Sequence, residues 1–178
     1  MGAFPVTYRV AQAIGFTGAA WLSGNIAALS AIGVPAALQG HKDDQLSTTK
    51  TARLWKGFYD RGKSQNPPIA ATTASAFLYL AWSVRSGTSL HRIARPNASI
   101  LYSVAAFLTI SIVPYTLVMM SATNNALLAR AEGKSADDAS SHADTELESL
   151  LQKWTSLNAG RSLIPLTAGL VGIFATLF

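Results

Sequence analysis

The sequence predicts an all-α integral membrane protein: a four-helix transmembrane bundle, one domain over residues 1–178, with an interfacial helix in the first long connection. Three observations predict it. Hydrophobic residues make up 49% of the chain and charged residues only 13%, about half the usual charged share. The mean hydropathy is positive, at +0.27. Apolar runs of membrane-spanning length alternate with polar connections.

The first run, about residues 8–38, carries one charge, Arg9, near its start. It exceeds the roughly 20 residues that cross a bilayer, and it lacks the basic start of a cleaved signal peptide. Gly15, Gly18, Ala19, Gly24 and Ala28 are small enough for close helix–helix approach. Trp21 reads as a packing residue. Asn25, four residues on, needs a partner at membrane depth.

Residues 39–68 form an aqueous connection containing His41, Lys42, Asp43, Lys50, Arg53, Lys56 and Asp60. Within it, Thr51–Tyr59 reads as the interfacial helix, with Trp55, Phe58 and Tyr59 on one side. Gly62 and Pro67-Pro68 are expected to end it. The second run, 69–84, is short, and a compact basic turn, Arg85–Pro96, follows it. The third, 97–128, contains Pro114, which frees the Ile110 carbonyl and predicts a kink. Ala131–Ser141 is a Gly-, Ser-, Ala- and Asp-rich loop. Thr145-Glu146-Leu147-Glu148 matches a capping box that opens the last helix, 145–178, whose first turns extend out of the membrane.

Four spans place both termini on one side. Ten of the 14 Lys and Arg residues, Lys134 among them, fall on the side of connections 39–68 and 129–161, and Arg9, Arg85, Arg92 and Arg95 fall on the other. The excess of positive charge places the long connections in the cytoplasm. The basic residues are dispersed between apolar runs with no aromatics interleaved, a pattern that excludes nucleic acid as the expected partner. The chain has no cysteine, so thiolate, disulfide and iron–sulfur chemistry are excluded. His41, His91 and His142 have no partners at metal-ligand spacing. No phosphate loop, dinucleotide fingerprint or nucleophile elbow is present. No metal or cofactor is expected.

Polar residues gather at the ends of two runs. Met120 and Asn124 are four apart, and Trp154, Asn158 and Arg161 follow at i, i+4 and i+7, so each set shares a helical face. The alternation of spans places Trp55, Tyr59, Asn124, Trp154, Asn158 and Arg161 on one side of the membrane. A pocket lined by Leu117, Met120, Trp55 and Trp154, with Asn124, Asn158 and Arg161 as its polar groups, is mostly apolar with a few convergent polar groups, as small-molecule sites are. Each residue also has a plainer reading: Asn124 as a helix cap, Arg161 snorkelling to phosphates, Trp55 and Trp154 as interfacial anchors.

Trp21-x-x-Gly24, Leu54-Trp55-x-x-x-Tyr59-x-x-Gly62, Pro114-Tyr115-Thr116-x-x-x-Met120-x-x-Thr123-Asn124-x-x-Leu127 and Trp154-x-x-x-Asn158-x-x-Arg161 resemble the fungal anthrone oxygenases. These belong to a wider family of small four-span membrane proteins. The resemblance covers almost the whole chain. It implies oxidation of an anthrone, an aromatic polyketide, to an anthraquinone by O2 without metal, flavin or haem, in an endoplasmic reticulum or related endomembrane. Carried onto this chain, it implies Arg161 as oxyanion stabiliser and Asn124 and Asn158 as hydrogen-bonding groups for carbonyl or peroxide oxygens. His41 is the candidate base, ahead of Asp60. Trp55, Tyr59, Met120, Thr123 and Trp154 are the substrate-binding residues. The competing class is a non-catalytic tetraspan protein, such as a scaffold, an assembly factor or a lipid-binding module. A transporter ranks third, because no span carries a mid-membrane charge.

Overall fold

A computed structural model describes residues 4–43, 46–133 and 141–177. Four long helices account for most of them: α1 (Val6–Asp43), α2 (Thr48–Ser83), α3 (Ala98–Ala131) and α4 (Ser141–Leu177). A short 3-10 turn, Ser89–Arg92, lies between α2 and α3, and no strand occurs among the described residues. The protein is all-α, and α1, α3 and most of α4 (His142–Leu177) are long and apolar enough to cross a membrane.

Three features differ from the sequence reading. Helix α2 does not stop at Gly62 or Pro67-Pro68 but runs through them to Ser83. Each proline removes one ladder bond, yet its fixed φ is compatible with a helix. Both flanks are anchored by packing, Ala52 and Trp55 before the pair and Ala70, Phe77 and Leu80 after it, and packing outweighs local propensity. Helix α4 starts at Ser141, so Thr145 is inside the helix and is not its cap. Ala143 and Leu147 are both buried, and that burial draws in the extra turn. The expected 131–141 loop falls largely on residues 134–140, which with Lys134 lie outside the described residues.

The third difference is in helix geometry. α1 contains a π turn, Leu29–Gly33, with Pro35 just after it, and α3 contains another, Thr116–Met120, just after Pro114. The kink expected at Pro114 takes this form. A π turn fits one extra residue into the helix, widens it and re-aims the side chains that follow.

The residue contacts divide into two compact units. One comprises Met1–Gly24, Asn66–Val113 and Ser162–Phe178. Its core sets Phe77, Leu80 and Tyr102 among alanines. Glycine is required where α1 and α4 meet Phe77: a Cβ on Gly15 would lie 2.8 Å from that ring, and one on Gly172 2.6 Å. Gly18 is likewise closed off by Thr73, whereas a Cβ on Gly24 would meet nothing within 4 Å. Buried Tyr102 takes a hydrogen bond from Gln12 Nε2 (3.1 Å) and shares one with Thr176 Oγ1 (2.9 Å). Trp21, read as a packing residue, is 42% exposed on α1.

The other unit comprises Asn25–Gln65 and Pro114–Arg161. Its core joins Val34, Ala52, Trp55, Met120, Leu127, Leu147, Leu151 and Trp154. Polar contacts tie the helix ends in this unit. Arg130 pairs with Glu146 (2.7 Å), Lys42 with Glu148 (3.0 Å), and Arg53 Nε donates to the Ala131 carbonyl (3.0 Å).

Candidate functional site

Every candidate site residue lies in this second unit. Helix α4 supplies the spine of the site. Along one face it presents Trp154, Asn158 and Arg161, and each meets a partner on another helix of the unit. Trp154 Nε1 donates to Asn124 Oδ1 at 3.0 Å, in the interior. Asn158 Nδ2 donates to the Ile26 carbonyl and to Ser30 Oγ, each at 2.8 Å. Arg161 Nη1 donates to Thr116 Oγ1 at 2.9 Å. Two of the four partners lie in the π turns, since Ser30 lies in the first and Thr116 opens the second.

The aromatic residues form the other wall. Trp55 and Trp154 are both buried and meet edge to face, with ring centroids 5.8 Å apart. Tyr59 stacks on Trp55 at 5.2 Å, and Lys63 Nζ lies 5.9 Å from the Tyr59 ring centroid. Neither tryptophan is an interfacial anchor. Met120 and Thr123 are buried with them. Leu117, expected beside Met120, is instead 67% exposed. Both residues belong to the π turn, whose wider pitch rotates Leu117 away from the face that Met120 keeps. Tyr115, just before that turn, donates its hydroxyl to the Leu157 carbonyl at 3.1 Å and lies against Gly160.

The electrostatics of this layer are unusual. None of the ion pairs among the described residues includes Arg161, and its Nε is buried without a hydrogen-bond partner. The titratable side chains that act on it are Tyr115 and Tyr59. A half-buried guanidinium whose Nε is shielded from solvent and faces no carboxylate is costly, because buried charges are normally paired. Trp55 Nε1, Arg130 Nε, Thr155 Oγ1 and Asn158 Oδ1 are also buried without partners. The unit thus holds three unsatisfied donors, one acceptor and one hydroxyl; of these, Arg161 Nε and Asn158 Oδ1, three residues apart on α4, are the complement of a ligand with an anionic oxygen and an O–H group.

Asn158 was expected to donate to a carbonyl or peroxide oxygen. Both of its amide hydrogens are already engaged, so only its oxygen is left to act. His41 sits against α2 one turn before Trp55 and away from Ser30. Its ring meets the Leu46 carbonyl at 2.6 Å, Thr51 Oγ1 at 3.3 Å and Asp144 Oδ1 at 3.4 Å, and Thr48 also donates to that carboxylate. Eleven residues of α1 separate it from Ser30, a rise of about 16 Å at 1.5 Å per residue. Asp60 is exposed and paired with Lys56. Among the described residues no group of three His, Asp or Glu is placed to hold a metal ion. Sequence reasoning missed Ser30, Thr116 and Tyr115 as partners of the α4 face. The available signal was a hydroxyl side chain in an apolar run within five residues of a proline, Ser30 before Pro35 and Thr116 after Pro114.

Comparison with known proteins bears on this arrangement. The family profile described as anthrone oxygenase matches residues 55–171, a range that holds both tryptophans and the Asn124, Asn158 and Arg161 set. The chain is 37% identical over 174 residues to the anthrone oxygenase encC of Aspergillus fumigatus, covering 93% of this chain and 91% of that protein. It is 33% identical over 123 residues to the anthrone oxygenase ptaC of Pestalotiopsis fici (68% and 82% covered). A noranthrone monooxygenase of Aspergillus flavus is 32% identical over 131 residues (71% and 58% covered). No solved structure matches. The chain belongs to the anthrone oxygenase family and is an oxygenase-type enzyme.

Proposed function

We propose that this protein converts an anthrone-type aromatic polyketide to an anthraquinone with O2 and without a cofactor. The observation that carries the reading is Arg161, a guanidinium inside the unit, held by Thr116 and opposed by no carboxylate among the described ion pairs. An anthrone that loses a proton from its central methylene becomes an enolate. Its oxyanion supplies the charge that Arg161 lacks. The proton passes to water, since the His41 ring is engaged with the Leu46 carbonyl, Thr51 and Asp144. The electron-rich enolate transfers one electron to O2. The carbon radical and superoxide then combine into a C–O bond, and the peroxide takes up a proton. Loss of the second methylene proton, with cleavage of the O–O bond, forms the new carbonyl. One oxygen atom stays in the quinone and the other leaves as water. Tyr59 and the edge of the Trp55–Trp154 pair support binding of a flat aromatic.

In the same reading the protein sits in an endomembrane with α2 as a fourth span, both termini on one side and the long connections in the cytoplasm. The test is oxygen uptake by purified, chelator-treated protein given an anthrone under 18O2. One labelled oxygen in the quinone and one in water are expected. Activity that follows a stoichiometric metal or flavin through purification refutes the cofactor-free step.

A further inference from the structure

We infer that Asn158 Oδ1 is a substrate-reading acceptor that binds a free ring hydroxyl of the aromatic ligand, and that Ser30 is the residue that positions it. This inference rests on the reading that the unit binds a tricyclic aromatic. Asn158 is fully buried. Its amide orientation is set by its partners, because the Ile26 carbonyl can only accept and so must face Nδ2. Ser30 Oγ takes the second amide hydrogen at the same distance, 2.8 Å. The amide can then neither rotate nor offer a hydrogen to a ligand, and Oδ1 remains in the interior with no partner. A buried, unpaired acceptor held by two bonds is a demand for a donor.

The chemistry of the aromatic identifies the donor. A quinone offers only acceptors, and a hydroxyl next to its carbonyl already donates to that carbonyl. The group that fits Oδ1 is therefore a ring hydroxyl away from the carbonyl, in its un-ionised form. Arg161, one turn further along α4, is suited to the opposite partner, an oxyanion. Asn158 and Arg161 thus divide the ligand between a neutral O–H end and an anionic oxygen end.

Ser30 acts only through Asn158. The π turn Leu29–Gly33 brings its hydroxyl to the amide. Without Ser30 the amide keeps one anchor and gains a free hydrogen, which lets it swing or donate. Threonine at this position keeps the hydroxyl and should preserve the arrangement.

The test compares binding of 2-hydroxyanthraquinone and 2-methoxyanthraquinone to the full-length protein in nanodiscs, by tryptophan quenching, at a pH where the phenol is un-ionised. Oxygen uptake with an anthrone is measured in parallel. The wild type should prefer the hydroxy compound by about tenfold, the cost of leaving a buried acceptor unpaired. Asn158→Leu removes the acceptor at similar volume, and the preference should fall to about onefold. In that variant Ser30 can turn back onto the Ile26 carbonyl four residues before it. Ser30→Ala should lower the preference about threefold, and Ser30→Thr should restore it. An unchanged preference in Asn158→Leu, no preference in the wild type, or no binding of either quinone overturns the assignment. If Asn158→Leu does not accumulate, an unchanged preference in Ser30→Ala overturns it. Binding that behaves as expected without oxygen uptake from any anthrone refutes the proposed reaction and leaves the acceptor assignment standing.

Discussion

Substitution of Arg161 separates a catalytic cation from a structural one, because the two roles predict opposite signs for stability. The guanidinium makes one hydrogen bond to a neutral hydroxyl, has a buried Nε with no partner, and is absent from every described ion pair. Desolvation of its Nε is poorly repaid, and for this half-buried side chain the penalty is a fraction of the several kcal/mol that a fully buried ion costs. Arg161→Met, an apolar side chain of comparable length, should therefore leave the thermal midpoint unchanged or raise it. The same change removes the donor to the oxyanion, which costs about 2.7–4 kcal/mol, or roughly 100- to 1,000-fold in turnover. Arg161→Lys keeps a charge but loses the planar fork, so it should fall between Arg and Met in activity. The assay is oxygen uptake with an anthrone in nanodiscs, beside thermal unfolding of the same preparations. Near-normal turnover by a folded Arg161→Met, or a large loss of stability with proportionate loss of activity, refutes the reasoning. A snorkelling anchor, by contrast, would let Lys work as well as Arg.

Three further outcomes follow from the geometry. Trp154→Phe keeps an aromatic ring against Trp55 but strands Asn124 Oδ1. It should cost about 1–3 kcal/mol in unfolding free energy, and a double-mutant cycle with Asn124→Leu should recover part of that cost if the bond is the cause. Gly172→Ala drives a methyl to 2.6 Å from Phe77 and should destabilise by about 1–3 kcal/mol, whereas Gly24→Ala, with nothing within 4 Å, should be neutral or slightly stabilising in thermal unfolding. Tags at the two termini should be equally accessible from one side of sealed vesicles; opposite accessibility would show that α2 does not cross.

Much of this was legible in the sequence, because helical period and hydrophobicity act over many residues. The shared face of Trp154, Asn158 and Arg161 follows from their spacing alone, and each of the three does reach a polar partner on another helix. The identity of those partners was not legible. Thr116 meets Arg161 only because α3 opens into a π turn there, and a one-residue change of register cannot be read from a 3.6-residue pattern. The same turn sends Leu117 outward. The reading of Pro67-Pro68 as a stop failed for another reason: it weighed a local cost and had no access to the packing of Trp55 and Phe77 on either side.

The two π turns also account for why the polar layer lies where it does. A regular helix buries its own backbone polar groups and offers neighbours little but side chains. A helix widened near Pro35 or Pro114 brings a hydroxyl, Ser30 or Thr116, to bear on α4. Asn158 and Arg161 are three residues apart, so one face of α4 meets both turns within a single helical turn. In apolar surroundings such partners are needed: without them an amide and a guanidinium would each be buried with even fewer bonds than they have. The partners found are incomplete, and the groups left over, Asn158 Oδ1 and Arg161 Nε, are an acceptor and a cationic donor. A purely structural polar layer would gain by satisfying both, with a hydroxyl to donate to Asn158 Oδ1 and a carboxylate to accept from Arg161 Nε. That this unit holds Asn158 and Arg161 firmly at one end and unsatisfied at the other is the arrangement expected of groups kept for a ligand.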